Sequence, residues 1–175
     1  MLQGGDMDPE TDDFVTIARL EVEDVVAARE LLASYVRSLG RDLSFQHIDE
    51  EFRDFPLKYS EPDGSFFLAR AGGIPCACAG IRKLDEDICE IKRLYVSERF
   101  RGRGIGKRLV EFAIATARAK GYRRMRLDTL EDMKAAQDLY RAQGFYEIAP
   151  YAVNPIPGTL FMEKVFADDS EEPRE

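Results

Sequence analysis

The sequence predicts one mixed α/β (α+β) domain built on a single sheet, and three observations carry that expectation. Three β-like runs between residues 65 and 97 are joined by turn sequences of hairpin length, the signature of an antiparallel meander. From residue 88 onward the apolar pattern reads strand, helix, strand, helix, strand, which calls for a sheet with crossover helices. The chain has 175 residues, 45% apolar and 33% charged, close to one ordinary globular domain of about 100 to 150 residues.

Phe14 to Leu20 alternates as a strand. Glu21 to Leu39 places Val22, Val25, Val26, Arg29, Leu32, Val36 and Leu39 near helical spacing, and Gly40 follows where a C-terminal glycine belongs. A short helix is expected over Asp49 to Asp54, ending before Pro56. Ser65 to Ala71, Ile74 to Leu84 and Ile88 to Ser97 are the meander strands, turning at Gly72-Gly73 and Asp85-Glu86-Asp87. That second turn sets opposite residues to sum to 172, so Leu84 faces Ile88 and Arg82 faces Glu90. A helix with the stripe Ile105, Leu109, Phe112, Ala113 and Thr116 stops at Lys120-Gly121. Tyr122 to Thr129 is a strand, Glu131 to Gln143 a helix ended by Gly144, and Phe145 to Ala149 and Thr159 to Phe166 are the last strands. The domain is thus expected over residues 14–166, between an acidic flexible N-terminal tail, 1–13, and an acidic flexible C-terminal tail, 167–175.

The net charge of −8 resides in the tails, which carry −5 and −4 and leave the body near +1. From Lys92 to Arg126 twelve Lys and Arg stand against Glu98 and Glu111, a local +10 suited to meeting an anion. Nucleic acid is the rival use of such a patch, but stacking aromatics and a basic total are missing, so no nucleic-acid partner is expected. Three cysteines (76, 78, 89) in apolar runs and a lone His47 fit reduced thiols and no metal. No apolar run approaches the roughly 20 residues that span a bilayer, and Met1 to Asp13 lacks a signal core, so a cytoplasmic protein without a membrane partner is expected. The sequence does not specify an oligomeric state.

Arg101-Gly102-Arg103-Gly104-Ile105-Gly106 lies between a strand and a helix, where backbone N–H groups and the helix N-terminus converge on an anion. A Walker A loop needs Gly-Lys-Ser/Thr at a spacing that Gly106-Lys107-Arg108 lacks, and a dinucleotide fingerprint begun at Gly102 needs glycine where Lys107 stands. Arg101-x-x-Gly104-x-Gly106 does resemble the R/Q-x-x-G-x-G/A loop of the GNAT acyl-CoA N-acyltransferases. The strand Glu90 to Val96 before it, the helix after it, and Leu139-Tyr140-Arg141-Ala142-Gln143-Gly144-Phe145, similar to that family's L-Y-x-x-x-G-F, extend the resemblance over most of the body.

The resemblance implies a GNAT fold with a splayed central sheet, acetyl-CoA as co-substrate, and acetyl transfer to a primary amine by direct attack in a ternary complex. It implies that backbone of Leu94 and Val96, with Tyr95 between them, borders the pantetheine arm, and that Arg101, Gly102, Arg103, Gly104, Ile105, Gly106 and Lys107 surround the pyrophosphate. Glu90 matches the strand position of a general-base glutamate, and Tyr140 the tyrosine that returns a proton to the leaving thiolate. Many members carry Asn where this chain has Met133, whose thioether cannot replace both amide functions.

Glu90 is equally open to a plain ion pair with Arg82, and Arg82 could instead hold an acceptor's carboxylate. Ser34 to Pro62 and Pro150 to Gly158, with Tyr151 and Asn154, lie where the family builds acceptor pockets. A small-molecule amine or amino acid is the first expectation for the acceptor, a protein or peptide amine the second, and a non-catalytic acetyl-CoA sensor the alternative to an enzyme.

Overall fold

The computed structural model describes residues 14–42 and 47–167. The expected tails lie outside the described residues, Ala167 excepted. Seven strands form one sheet in the order β1-β2-β3-β4-β5-β7-β6. They are β1 Val15–Arg19, β2 Ser65–Ala71, β3 Ile74–Lys83, β4 Ile88–Val96, β5 Arg124–Thr129, β6 Tyr146–Ile148 and β7 Leu160–Val165. The helices are α1 Val25–Leu39, α2 Ile48–Asp54, α3 Ile105–Ala119 and α4 Lys134–Ala142. The expected mixed sheet is borne out: β1 to β4 pair antiparallel in sequence order, and α3 crosses over so that β5 lies parallel to β4.

Both sheet faces are covered, which is why β2 is apolar without alternation. Phe67, Ala69 and Ala71 join Ile105, Leu109, Val110 and Ala113 of α3 in one core, and Phe66 and Leu68 join Ala28, Leu31 and Leu32 of α1 in the other. Tyr59, from the short 3-10 turn Leu57–Tyr59, packs on the second face. Its ring comes so near β3 that a Cβ on Gly80 would sit 2.6 Å from it, so the sheet needs glycine there.

Two sequence expectations shift. The helix expected from Glu21 opens as a 3-10 turn, Val22–Asp24, and buries Ala28, Leu31 and Leu32, leaving Val22 85% and Val26 69% exposed. An amphipathic pattern fixes a face only when something packs on it, and the sheet meets the stripe through Leu32 instead. α4 begins at Lys134 rather than Glu131, because Gln137 turns back to donate from Nε2 to the carbonyls of Leu130 and Glu131.

The β3–β4 register follows the expected sum from Lys83↔Cys89 to Gly80↔Lys92, with Arg82 opposite Glu90. It then slips by one residue to Cys78↔Tyr95 and Ala77↔Val96. The slip is a bulge at Arg93, whose φ of 60° is in the left-handed region. The strained residue is tied down from its side chain: Nε and Nη2 donate to the two carboxylate oxygens of Glu51 on α2 at 2.9 and 2.8 Å. The Tyr59 hydroxyl adds a 2.6 Å bond to Glu51 Oε1. The two charged side chains are 3% and 2% exposed.

Burial opposes the Glu51 charge, but the hydrogen bonds and charge of Arg93 outweigh it and hold the carboxyl below its ordinary range. Breaking a buried pair from one side leaves the partner charge uncompensated, at about 3 to 5 kcal/mol. Glu51→Gln is therefore expected to lose about 3 kcal/mol in urea unfolding. In the unmodified protein the pair's contribution is complete above about pH 4.3 and lost as pH falls through the lower folded value of Glu51. The urea midpoint measured from pH 6 down to 3 should fall less steeply in the variant.

Candidate active site

β4 and β5 pair only over Ile88↔Arg124, Cys89↔Met125 and Glu90↔Arg126. Beyond Glu90 the strands part. In an antiparallel ladder alternate residues turn both backbone groups to the same neighbour. Ser97 donates its N–H to Cys76 O at 2.9 Å, so Tyr95 also faces β3, while Leu94 and Val96 turn theirs to the open side.

The gap widens into a cleft of about 650 Å³, lined by Leu94, Tyr95, Val96, Arg101, Gly102, Gly104, Ile105, Gly106, Lys107 and Met133 together with Tyr35, Arg41 and Lys134. Its lip is crossed by an ion pair from Arg41, just past α1, to Asp132, just before α4. The glycine loop forms its floor. Gly104 is the N-cap of α3 at φ 74°, and the first helical bond runs from Arg108 N–H to Gly104 O at 3.1 Å. The amides of Ile105, Gly106 and Lys107 thus have no acceptor inside the helix. A Cβ at Gly104 would find nothing within 4 Å, so the loop is glycine for its left-handed backbone and not for want of space.

The basic stretch is divided by the fold. Arg101 lines the cleft, with Nε bound to Val96 O at 3.0 Å, and Lys107 lines it beside Glu111. Arg103 turns to the Phe100 ring and the Arg99 carbonyl, and is not part of the lining. Arg93 is taken by Glu51, Arg108 by the Val15 carbonyl, Lys120 by Glu61, and Arg126 by Glu163. The local +10 is therefore mostly structural, and the part that faces the cleft is Arg101, Lys107 and the helix start.

At the inner end of the cleft a chamber of about 70 Å³ is lined by Tyr35, Leu39, Lys92, Asp128, Met133, Tyr140, Asn154 and Ile156, among others. Tyr35, Leu39, Leu94, Leu130, Met133 and Ala136 belong to both linings, so the two spaces adjoin. Tyr140, on α4, packs edge-on against Phe145, the two aromatics of the L-Y-x-x-x-G-F run. Burial raises its phenol well above the ordinary value, with Tyr35 and Asp128 nearby acting in the same sense, so at neutral pH the hydroxyl is protonated.

Glu90 lines neither space. Its side chain is 4% exposed, with Oε2 taking Arg82 Nε at 3.0 Å and Oε1 taking the Tyr151 hydroxyl at 2.9 Å. Lys92 Nζ lies 3.6 Å from Glu90 Oε1 and 3.1 Å from Asp128 Oδ1, bridging the two carboxylates. Arg82 and Tyr151 thus sit behind the chamber, joined to it through Glu90 and Lys92, whereas Asn154 lines it and donates to Asp128 Oδ2 at 2.9 Å.

Sequence reasoning did not single out Tyr35, Arg41, Asp128 or the role of Lys92. For Asp128 a signal existed, since an aspartate between Leu127 and Thr129 inside a strand goes against β-propensity and needs a reason. Tyr35 and Arg41 fall in the stretch Ser34 to Pro62 expected near the acceptor, but nothing singled them out within it, because their place depends on how α1 crosses the sheet. Among the described residues no group of three or more His, Cys, Asp or Glu could hold a metal ion, and no helix is long and apolar enough to cross a membrane.

A backbone cradle at a helix start, opening on a parted sheet with a protonated phenol at its inner end, defines an acyl-transferring α/β enzyme. The model of the Acetyltransferase (GNAT) family matches residues 28–145, and the chain belongs to that family. An uncharacterized N-acetyltransferase of Schizosaccharomyces pombe is 35% identical over 142 residues, 80% of this chain and 87% of its own length. Another, from Dictyostelium discoideum, is 31% identical over 76% of this chain and 90% of its own. The fold matches the PaiA N-acetyltransferase of Thermoplasma acidophilum in complex with coenzyme A, at a TM-score of 0.70 and 20% identity over 87% of this chain and 99% of that one.

Placing a side chain in the left-handed region costs about 1 to 2 kcal/mol. Gly104→Ala should therefore lower stability by about 1 kcal/mol in urea unfolding.

Proposed function

We propose that the protein transfers an acetyl group from acetyl-CoA to a primary amine of a small molecule or amino acid, by direct attack in a ternary complex. The observation that carries this reading is the pair of adjoining spaces that run from the glycine loop, past the outward backbone of Leu94 and Val96, to the chamber lined by Tyr140. The residues present fit such a carrier. The amides from Gly104 to Lys107, with the Arg101 and Lys107 charges, would hold the pyrophosphate. Backbone of Leu94 and Val96 would hold the pantetheine arm as an added strand edge, with Met133 packing beside it through its thioether. The carrier supplies a thioester, an acyl group already activated toward amines.

The chain's own groups then manage protons. The Tyr140 hydroxyl, kept protonated by its burial, donates to the departing sulfur. Glu90 serves as the distant proton acceptor. Asp128, which lines the chamber, takes the proton from the amine, and the Lys92 ammonium, 3.6 Å from Glu90 Oε1 and 3.1 Å from Asp128 Oδ1, joins the two carboxylates. Arg82 and Tyr151 hold the Glu90 carboxylate in place from the far side. The small size of the chamber, about 70 Å³ and walled by Tyr35, Leu39 and Ile156, favours a compact acceptor over a peptide segment.

Acetyl-CoA turnover on pooled amines and peptides, with thiol release followed and products identified by mass, tests the reading directly. Tyr140→Phe should lower kcat by about 10² to 10⁴-fold, the usual worth of a positioned acid. Its coenzyme A affinity, measured by calorimetry, should stay near that of the unmodified protein. Unchanged turnover would remove Tyr140 from the chemistry.

A further inference from the structure

Lys92 and Asp128 face one another across the parted strands, one from β4 and one from β5, beyond the last residues at which those strands pair. Their side chains are only 12% and 15% exposed, and both line the chamber that holds Tyr140. A buried ion pair adds little net stability, since desolvating both charges offsets most of their attraction. The pair therefore needs another account, and its surroundings supply one.

Each partner keeps a second anchor that does not depend on the other. Asp128 Oδ2 accepts from Asn154 Nδ2 at 2.9 Å, and Asn154 is itself oriented by the Ile156 N–H, which donates to its Oδ1 at 3.0 Å. Lys92 keeps Glu90 Oε1 at 3.6 Å, and Glu90 is in turn neutralised by Arg82. Separating the pair would thus leave an anion and a cation, each still tethered, on opposite sides of a small chamber. Burial alone would raise the Asp128 carboxyl, but the Lys92 charge and the hydrogen bonds from Lys92 and Asn154 outweigh it, so it is an anion at neutral pH.

We propose that this chamber recognises a free α-amino acid, with Asp128 meeting its ammonium group and Lys92 its carboxylate. The inference rests on the acetyl-transfer reading above and narrows its acceptor. A zwitterion is the ligand that replaces both halves of an internal ion pair at once, exchanging each salt bridge for another without leaving a buried charge alone. A simple amine would satisfy Asp128 and strip Lys92 of its nearest partner. The amino end of a peptide has an amide where the carboxylate would be, so it brings no anion to replace Asp128 at Lys92. Asn154 acts as a positioning residue for Asp128, which explains why a proline-bearing loop far along the chain reaches into the chamber.

The test uses matched acceptors that share a side chain: the free amino acid, its amide, its decarboxylated amine, and a dipeptide bearing it at the amino end. With acetyl-CoA and the full chain, kcat/KM for at least one free amino acid should exceed its three relatives by about tenfold or more, the usual worth of a charge-assisted hydrogen bond. Lys92→Gln should bring that ratio to within about threefold of unity, and Lys92→Arg should recover part of it, because the charge is kept while the point geometry changes. A readout without turnover is calorimetric titration of the preferred amino acid into protein saturated with coenzyme A, whose heat should vanish in Lys92→Gln. If a variant fails to fold, the ratio in the unmodified protein decides.

Transfer to amines or dipeptides with no advantage for a free carboxylate would overturn this proposal and leave acetyl transfer standing. No transfer to any amine, with no heat from coenzyme A, would overturn both.

Discussion

The bidentate bond between Arg93 and Glu51 is the constraint on which the rest of the site depends. An arginine in the left-handed region is an uncommon backbone state, and it persists only where the surroundings hold it. Glu51, braced by Tyr59, supplies that hold from α2 and the turn after it. One consequence is the single-residue slip in β4. Before the slip, residues 88, 90 and 92 bond toward β3; after it, residues 95 and 97 do. Without it Leu94 and Val96 would be consumed in the β3 ladder, and the parted edge would present Tyr95 instead. A buried charge pair on one face of the sheet thus decides which backbone groups are offered in the cleft.

The same slip sorts the side chains. Ile91, Leu94 and Val96 pack on the α3 side, while Tyr95 packs on the α1 side. Arg93 points to Glu51 on that second side, next to Lys92, so two consecutive cations share a face that strict alternation would have split. One is spent on structure, and the other reaches the chamber. The layout across the sheet follows: the outward backbone and the helix start lie toward α3, and the charged chamber lies toward α1 and the loop from Pro150 to Gly158.

Much of the site was legible as pattern. The loop Arg101 to Gly106 could be read because left-handed glycines before a helix have few alternative uses, and Tyr140 because its run with Gly144 and Phe145 packs as a unit. The pairing of Arg82 with Glu90 followed from turn length alone. Arg103 and most of the basic stretch could not be sorted, because a charge on a sequence does not say which neighbour it will meet. Asp128 escaped for the complementary reason: its partners, Lys92 and Asn154, lie 36 and 26 residues away and meet it only across the sheet.

The sequence by itself determined the order of the elements, the hairpin register up to residue 92 and the glycine loop before α3, since each of these is written in contacts among near neighbours. Tertiary structure alone decided the bulge at Arg93, the parting of β4 from β5, and the closing of the chamber by Tyr35 and Asn154. Those features arise where segments distant along the chain come together, and local propensity holds no information about such encounters.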